Sequence, residues 1–399
     1  MSMKMAISFT NFGPYHLARL RALGGALARR GDTLVAYETA GTEQRYPWLV
    51  DADEEPFARI TLFPDRTLES ISGPACARAM TEALARDRPD AVGIVGYSRP
   101  ESMAALRWAR SQGVPSILMS ESQEIDHPRT WWKEAIKRNR VCKFSAALVG
   151  GPRHRDYLVT LGMPGGRVAF GYNAVDNERF AGLAEAAREA SAGRVGLPRR
   201  PYFIAVNRFV PEKNLPRLVR AFARYRRSVP ESTAWDLVLC GGGPGADAVE
   251  AAVLASGCTR SIHRPGFLQT GDLARWYAYA SAFVHPSLQE PWGLVANEAA
   301  ACRLPLLLSD RAGCAPTLVP DGPDSTGRRF DPLDENALAG HLTWMAALDP
   351  EVRARLGRRA SEVVADWGPE RFASGTLAAL ELASQAVARP VRTARESVR

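Results

Sequence analysis

Two carboxylates eight residues apart are the part of this sequence best suited to chemistry. Glu290 and Glu298 flank a turn that follows the strand-like segment 282–285 and leads into an apolar, alanine-rich segment, residues 295–302. A strand, a tight turn and a helix N-terminus place backbone N–H groups where they can bind an anion. Carboxylates on either side accept hydrogen bonds from sugar and ribose hydroxyls. The pattern therefore predicts a cradle for a nucleotide diphosphate-sugar.

The same two acids also fit a purely structural interpretation. In that interpretation Glu290 is a loop acid, and Glu298 is an exposed acid in the first turn of a helix, where the macrodipole favours negative charge. Local physical chemistry does not decide between the two interpretations, because both place the acids at a turn before a helix.

Strand-like and helix-like segments alternate along the chain, which predicts βαβ units, parallel sheets and an α/β fold class. A polar stretch rich in Ala, Gly and Arg, residues 181–200, interrupts the alternation and predicts an interdomain linker. Ligands of such sheets bind at the carboxyl ends of the strands. The predicted strands are residues 4–9, 33–37, 91–96, 115–119, 146–149, 202–206, 235–240, 281–285 and 304–308, and the predicted helices include 14–30, 71–86, 101–111 and 369–388.

The bulk composition is that of a two-domain globular protein. A chain of 399 residues exceeds what one hydrophobic core usually serves, and 46% hydrophobic with 24% charged residues is ordinary for this class. Residues 1–9 resemble a first strand rather than a signal peptide, and no run of about 18 apolar residues predicts a membrane span. Six cysteines without a CxxC pair predict reduced thiols and a cytoplasmic protein.

The net charge of +8 predicts contact with something anionic. Nucleic acid is not the predicted partner, because no nucleic-acid-binding motif is present. The arginine-rich C-terminal tail fits a solvated end. A denser basic patch contains two tryptophans and leaves two interpretations open: peripheral contact with a membrane surface or an anionic acceptor, or a surface helix whose Trp pair packs inward. The tail arginines are Arg389, Arg392, Arg395 and Arg399, and the patch comprises Arg129, Trp131, Trp132, Lys133, Lys137, Arg138, Arg140 and Lys143.

The segment from Glu290 to Glu298 resembles the E-x7-E motif of the retaining glycosyltransferases of family 4. Other segments resemble further motifs of that family and occur in its order along nearly the whole chain. The ordered set is typical of the family, although it specifies neither a donor nor an acceptor. The other matching segments are residues 11–14, 171–176 with Phe180, 207–214, 240–244, 265–267 and 285–287.

The resemblance implies the GT-B fold, in which two Rossmann-like domains face each other across a cleft. It implies an N-terminal acceptor-side domain (1–180), a linker (181–200) and a C-terminal nucleotide-sugar-binding domain (201–368). Residues 369–399 then form a helix that returns to the N-terminal domain, followed by a basic tail. The implied reaction moves a sugar, with retention, from a nucleotide-diphosphate sugar to a hydroxyl of a polysaccharide, a lipid-linked glycan or a small natural product.

The resemblance assigns most site residues to the donor. Arg208 and Lys213 match the cations that stabilise the departing diphosphate, and only 5 of the 51 basic residues are lysines. Glu290 matches the acid that contacts the donor sugar near its 3-hydroxyl, and Glu298 matches the acid that binds the ribose. Lys213 and Glu298 are expected in a polar cleft, so removing either should leave the fold intact. The other implied donor contacts are Asn207 and Trp292, Gly266 and Phe267 at the nucleobase, and Gly293, Leu294 and Val295 through backbone N–H groups.

The N-terminal half departs from the family pattern at one place. Gly13 follows the first strand, close to where family members bring a glycine loop to the donor diphosphate. Family members commonly place a His just after the strand matched by residues 117–119, but this chain has Ser-Glu-Ser-Gln there. Either Glu121 takes the place of that His at the donor sugar, or His127 reaches in from the loop. His16 is interpreted as a helix N-terminal residue rather than a catalyst.

Two other functional classes are weighed against transfer. A GT-B-fold nucleotide-sugar epimerase or phosphorylase would need an acid/base array or a pyridoxal-phosphate lysine, which so few lysines support poorly. A non-catalytic nucleotide-sugar sensor is disfavoured by the acids and cations matched above. No metal or other cofactor is expected, because the chain has no H-x3-H pair, no cysteine cluster and no carboxylate triad near the predicted diphosphate site. The glycine run 241–243 fits either a phosphate-binding loop or a plain turn.

Overall fold

The computed structural model describes residues 2–43, 55–190 and 193–388. The chain divides into two compact units. The first comprises Met1–Glu124, Pro128–Ala174 and Pro369–Arg399, and the second comprises Ile125–His127 and Val175–Gly368. The arginines of the C-terminal tail lie outside the described residues.

Strands and helices alternate through both units, as the hydrophobic patterning predicts. The strands are β1 Lys4–Phe9, β2 Thr33–Thr42, β3 Ala58–Thr67, β4 Ala91–Val95, β5 Ser116–Ser120, β6 Ala146–Val149, β7 Val168–Phe170, β8 Tyr202–Val206, β9 Asp236–Cys240, β10 Ile262–Gly266, β11 Ala282–His285, β12 Leu306–Ser309 and β13 Gly327–Phe330. The helices are α1 Pro14–Ala28, α2 Gly73–Asp87, α3 Pro100–Gln112, α4 Trp131–Val141, α5 Pro152–Thr160, α6 Asn177–Glu189, α7 Leu215–Ser228, α8 Ala246–Ser256, α9 Thr270–Tyr279, α10 Leu294–Ala301, α11 Ala315–Leu318, α12 Glu335–Ala347, α13 Pro350–Ala365 and α14 Pro369–Ala388.

The described strands of the first unit form one parallel sheet in the order β3-β2-β1-β4-β5-β6-β7. Its central strands β1, β4, β5 and β6 are almost completely buried because helices cover both faces of the sheet. One face packs Ile7 against Leu20 of α1 and Leu380 of α14. The opposite face packs Ala6 together with Leu106 of α3. Successive residues of β1 therefore enter different cores, which fixes the register of the strand.

The described strands of the second unit form another parallel sheet, in the order β10-β9-β8-β11-β12-β13. Its core joins β8 to α7 and α12 through residues such as Phe203, Phe222 and Leu342. The strand order reverses between β8 and β11, because the chain moves outward from β8 to β10 and then returns to the other side of β8. A reversal of this kind leaves a crevice at the carboxyl ends of the two strands, where ligands of open α/β sheets bind.

Helix α14 completes the first unit from the far end of the chain. Phe372 and Leu380 are buried in the same core as α1. Gly375 permits the close approach of this helix to β7, because a Cβ atom at that position would overlap the carbonyl oxygen of Phe170. A small residue is therefore required where helix and strand cross.

Three sequence-based expectations differ from the structure. Strands β3, β7, β10 and β13 were not predicted, and all four are edge strands of their sheets. None of the residues of β3 is fully buried, and they include Pro64, as an edge strand tolerates. Residues 181–189 of the predicted linker continue α6, whose buried Phe180 and Ala184 belong to the second unit, so the division falls after Ala174 rather than after residue 180. The Trp pair on α4 does not pack inward, since both indoles are exposed.

Substitution of Gly375 tests how closely α14 must approach β7. We expect Gly375→Ala to lower the free energy of unfolding by about 2 kcal/mol, because the added methyl group forces the helix away from the sheet. Gly340→Ala is the matched control: this glycine also lies in a helix, but nothing lies within 4 Å of a Cβ built there. The control should gain about 0.5–1 kcal/mol from helix propensity. Urea unfolding that moves both variants in the same direction would contradict this explanation.

Candidate functional site in the second unit

A cluster of polar side chains lies at the carboxyl ends of β8 and β11. The Lys213 ammonium donates a hydrogen bond to Oε2 of Glu290. Nε2 of His285 lies 2.7 Å from the same oxygen, and Oγ of Ser287 lies 3.0 Å from that nitrogen. His285 and Ser287 are fully buried, and the side chains of Lys213 and Glu290 are largely so. The structure thus brings together two predicted site residues and adds two that the sequence analysis had not assigned a role.

Backbone contacts between two loops hold this cluster in place. Lys213 ends the short 3-10 turn Pro211–Lys213, and the carbonyl oxygen of Glu212 in that turn accepts a 2.8 Å hydrogen bond from the N–H of Leu288. Asn214 adopts a left-handed conformation with φ of 57° and donates from its side chain to the carbonyl oxygen of Pro286, 3.1 Å away. Asparagine tolerates this conformation better than most residues. The loop after β8 is therefore tied to the loop after β11.

The charge on Glu290 is stabilised within this cluster. Burial alone would raise the pKa of the carboxyl group, but the Lys213 ammonium and the hydrogen bond from His285 outweigh it and lower the pKa to about 2. Glu290 is therefore a carboxylate at neutral pH, which accepts hydrogen bonds only. His285 must then donate from Nε2, and its tautomer follows from that contact.

Gly293 brings the N-terminus of α10 close to the same carboxylate. Its φ of 100° lies in the left-handed region, and a Cβ there would be 3.2 Å from Cγ of Glu290 and 3.6 Å from Nε2 of His285. A side chain at this position would be both strained and crowded. Leu294 and Val295 begin the helix, so their N–H groups have no acceptor within it. The predicted N–H donors and the positive end of the helix dipole thus adjoin the cluster.

Glu298 does not lie in a polar cleft, nor is it an exposed acid of a first helical turn. Its side chain is completely buried, and Oε2 accepts a 3.0 Å hydrogen bond from the hydroxyl of Tyr277. The expectation that Glu298 lies in a polar cleft is therefore wrong, and its removal is expected to lower the stability of the fold. The side chain of Trp292 is buried as well, stacking on Trp367 and donating from Nε1 to Asn297. Trp292 can meet a ligand only through its backbone.

Asn207 is a buried polar residue whose side chain lacks a partner. It follows β8, is 7% exposed, and neither side-chain polar atom has a hydrogen-bond partner among the described residues. Such groups are rare in folded proteins, and each calls for an explanation. Arg208 follows it and is half-buried. Gly241 has φ of 126° and packs against the carbonyl oxygen of Asn207 so closely that a Cβ would overlap it, so this glycine serves close loop packing.

The remaining predicted residues of this unit lie on neighbouring loops. Gly266 ends β10 with φ of 82°, and Phe267 after it is 45% exposed. Phe267 therefore lies at the carboxyl end of a strand, where ligands of such sheets bind. His127 belongs to the second unit, and its Nε2 lies 3.1 Å from the side-chain nitrogen of Gln289, the residue before Glu290.

The first unit contains its own polar group around the other predicted residues. Glu121, which follows β5, accepts a hydrogen bond from the side chain of Asn173. The N–H of Gly13 donates to Nδ1 of His16 at 3.1 Å. Burial and the nearby Arg19 guanidinium lower the pKa of His16 to about 3, so its ring is neutral near pH 7. His16 therefore accepts a backbone hydrogen bond at the N-terminus of α1, the position predicted for it from the sequence.

Glu38 is a positioning residue that sequence reasoning missed. This completely buried carboxylate accepts hydrogen bonds from the N–H of Phe12 at 2.7 Å, from Thr61 at 2.7 Å and from Arg59 at 2.9 Å. It therefore fixes the backbone just before Gly13. The available signal was a lone acid within the apolar run of β2, where an unpaired charge would be costly.

No group of three His, Cys, Asp or Glu side chains that could hold a metal ion occurs in residues 2–43, 55–190 and 193–388. Over the same residues, no helix combines the length and apolar character needed to cross a membrane.

The burial of Glu298 gives a stability prediction. We expect Glu298→Ala to lower the free energy of unfolding by about 2–3 kcal/mol, because it opens a cavity and removes the nearer of the two acceptors of the Tyr277 hydroxyl, which leaves only the 3.5 Å contact with the carbonyl oxygen of Val295. Glu362→Ala serves as control, since this glutamate also lies in a helix and its ion pair with Arg359 is exposed. It should change stability by no more than about 0.5 kcal/mol. Equal effects in urea unfolding would mean that Glu298 is not buried.

The depressed pKa of Glu290 predicts a pH dependence of stability. A carboxylate with a lowered pKa in the folded state stabilises fully above its ordinary value of 4.5, and that stabilisation is lost as the pH falls through about 2. The stability advantage of the wild type over Glu290→Gln should thus be constant from pH 7 to pH 5 and shrink at lower pH. Urea unfolding midpoints at several pH values measure it. An advantage that stays constant down to pH 3 would contradict the ion pair.

The part of the chain that contains Lys213 and Glu290 is similar to known glycosyltransferases. Residues 188–363 match the family model of glycosyl transferases group 1. A GDP-mannose-dependent alpha-(1-6)-phosphatidylinositol monomannoside mannosyltransferase of Mycolicibacterium smegmatis is 31% identical over 190 residues, 46% of this chain and 48% of that protein. A D-inositol 3-phosphate glycosyltransferase of Kribbella flavida is 35% identical over 246 residues, 58% of this chain and 55% of that protein. The chain thus spans about half the length of these curated relatives.

A solved structure extends the likeness to both units. Sucrose-phosphate synthase from Thermosynechococcus elongatus aligns with a TM-score of 0.75 at 21% identity, covering 97% of this chain and 99% of that one. At this identity the likeness concerns the fold, and it confirms the predicted α/β fold class. Residues 188–363 are therefore similar to the glycosyl transferases group 1 family, and the chain as a whole shares the α/β fold of the GT-B glycosyltransferases.

Proposed function

We propose that this protein is a retaining glycosyltransferase, which moves a hexosyl group from a nucleotide-diphosphate sugar to an acceptor hydroxyl. The observation that supports this most is the contact between Lys213 and Glu290 beside the N-terminus of α10, inside the family-matched region. A cation, a carboxylate and helix N–H groups at one place suit a ligand that combines phosphate with hydroxyl groups.

Lys213 and Arg208 are the proposed partners of the leaving diphosphate. Negative charge grows on the β-phosphate as the glycosidic bond breaks, and a preorganised cation stabilises that charge more in the transition state than in the ground state. Glu290 keeps the ammonium oriented before a donor binds. In the bound state its carboxylate accepts a hydrogen bond from a sugar hydroxyl. The leaving phosphate takes the proton of the acceptor hydroxyl, so the new bond forms on the same face of the sugar.

Asn207 and the start of α10 complete the proposed donor contacts. The side chain of Asn207 offers both an amide N–H and a carbonyl oxygen, and donor binding would supply the partners that it lacks. The N–H groups of Leu294 and Val295 would bind diphosphate oxygens or sugar hydroxyls. The ribose contact that the resemblance implies for Glu298 is not part of this proposal, because its side chain is buried against Tyr277. The acceptor is a sugar, a glycan, a lipid-linked glycan or a small molecule, and the free cysteines support a cytoplasmic place of action.

Incubation with a panel of UDP-, GDP-, ADP- and TDP-sugars in excess EDTA, with and without acceptors, tests this function. We expect slow release of free nucleotide from one donor, faster release with an acceptor, and a product with the anomeric configuration of the donor. Isomerised nucleotide sugar would indicate an epimerase instead, and tight binding without turnover would indicate a sensor. A strict requirement for Mg²⁺ or Mn²⁺ would contradict the proposed role of Lys213 and Arg208.

The role of Lys213 is tested by Lys213→Met, which removes the ammonium and keeps most of the apolar stem. Loss of one electrostatic donor to the transition state should lower kcat about 10²–10³-fold. Lys4→Met is the matched control, because the Lys4 ammonium binds the carbonyl oxygen of Asp87 in the other unit. Urea unfolding of both variants separates lost folding from lost catalysis. A folded Lys213→Met enzyme with near-wild-type kcat would refute this mechanism.

A further inference from the structure

Helix α4 of the first unit exposes large apolar side chains that no part of the described chain covers. Trp131 is 84% exposed, Trp132 48% and Ile136 46%. Tryptophan is among the residues that usually bury most of their surface. An unburied pair on one short helix, together with a neighbouring isoleucine, is the kind of apolar patch that marks an interaction surface.

The other side of α4 is firmly held by the unit. Val141 is completely buried, and Glu134 accepts hydrogen bonds from Tyr157 at 2.8 Å and from Lys137 at 2.9 Å. Arg129, just before the helix, donates to the hydroxyl of Tyr157 at 2.7 Å. These contacts fix the rotation of the helix about its own axis. The outward position of the tryptophans is therefore set by the fold and does not reflect a loose segment.

The exposed residues follow a regular pattern around the helix. At 100° per residue, Trp131, Ala135, Trp132 and Ile136 occupy a sector about 140° wide, which also contains Asn139. Arg138 borders this sector on one side, and Lys133 and Arg140 border it on the other. The buried or paired residues Glu134, Lys137 and Val141 occupy the opposite sector. The Lys133 ammonium lies 5.4 Å from the centre of the Trp132 ring.

An apolar strip bordered by cations matches the surface of an anionic membrane. Indole rings favour the boundary between headgroups and acyl chains, and lysine and arginine at the edges meet lipid phosphates. Two copies of this face would bring the cations of both together, which opposes self-association. Proteins bind single-stranded nucleic acid in a basic groove lined with aromatic rings. The tryptophans of α4 lie on a convex helix surface instead, which argues against such a ligand. We propose that this face of α4 binds the protein to the surface of an anionic lipid bilayer.

Co-sedimentation of the full chain with vesicles tests this proposal. Wild-type protein should bind vesicles of phosphatidylcholine with phosphatidylglycerol far more tightly than vesicles of phosphatidylcholine alone, and added salt should weaken the binding. Trp131→Ser with Trp132→Ser should lower the affinity at least about 10-fold, since both rings lose their apolar environment. Lys133→Gln with Arg138→Gln should lower it about 30-fold, at roughly 1 kcal/mol for each basic residue.

Two control variants distinguish binding through α4 from nonspecific apolar adsorption and from an effect of net charge. Leu254→Ser changes an exposed apolar residue of α8, and Arg227→Gln with Arg355→Gln removes the same charge from the second unit. Both controls should bind vesicles as the wild type does. Every altered side chain is exposed, so the melting temperatures of the variants should equal that of the wild type. Measuring them confirms that each variant is folded. Equal binding of all variants, or equal binding to both vesicle types, would overturn the proposal. So would loss of dimerisation or of single-stranded DNA binding, without loss of vesicle binding, in the tryptophan variant.

Discussion

The buried ion pair between Lys213 and Glu290 is the contact on which the rest of the site depends. It joins the loop after β8 to the loop after β11, the two strands between which the order of the second sheet reverses. Taking two charges from water is costly, and the pair offsets that cost only through good geometry and further hydrogen bonds. His285 supplies one such bond to the carboxylate. The position of each group therefore depends on the others, which is how a site remains organised without a ligand.

In both units, the loops at the carboxyl ends of the strands are held in a fixed conformation, but by different contacts. In the second unit, a left-handed Gly293 lets α10 begin beside a carboxylate. In the first unit, the buried Glu38 accepts a hydrogen bond from the backbone just before Gly13. Both arrangements hold main-chain N–H groups in place with neighbouring polar contacts.

The sequence was sufficient for the fold class and for most elements, because apolar periodicity and glycine-rich turns are local signals. It also singled out Lys213 and Glu290, since a rare lysine and a turn acid both stood within recognisable motifs. It did not predict that they touch each other, because they are far apart in sequence. Burial was harder still. Glu298 was expected in a polar cleft or on an exposed helical turn, because its buried partner, Tyr277, lies on a different helix and only tertiary packing makes the acid a core residue.

The return of α14 to the first unit has a consequence for how the chain is made. Phe372 and Leu380 cover the sheet face on which α1 packs, yet they are synthesised after the whole second unit. Throughout that interval the nascent first unit leaves apolar surface of its core uncovered, where a chaperone can bind it or another nascent chain can aggregate with it. The second unit is contiguous, apart from three residues, and can close its core first. The first unit is therefore begun first on the ribosome but can complete its packing only after the second unit has been synthesised.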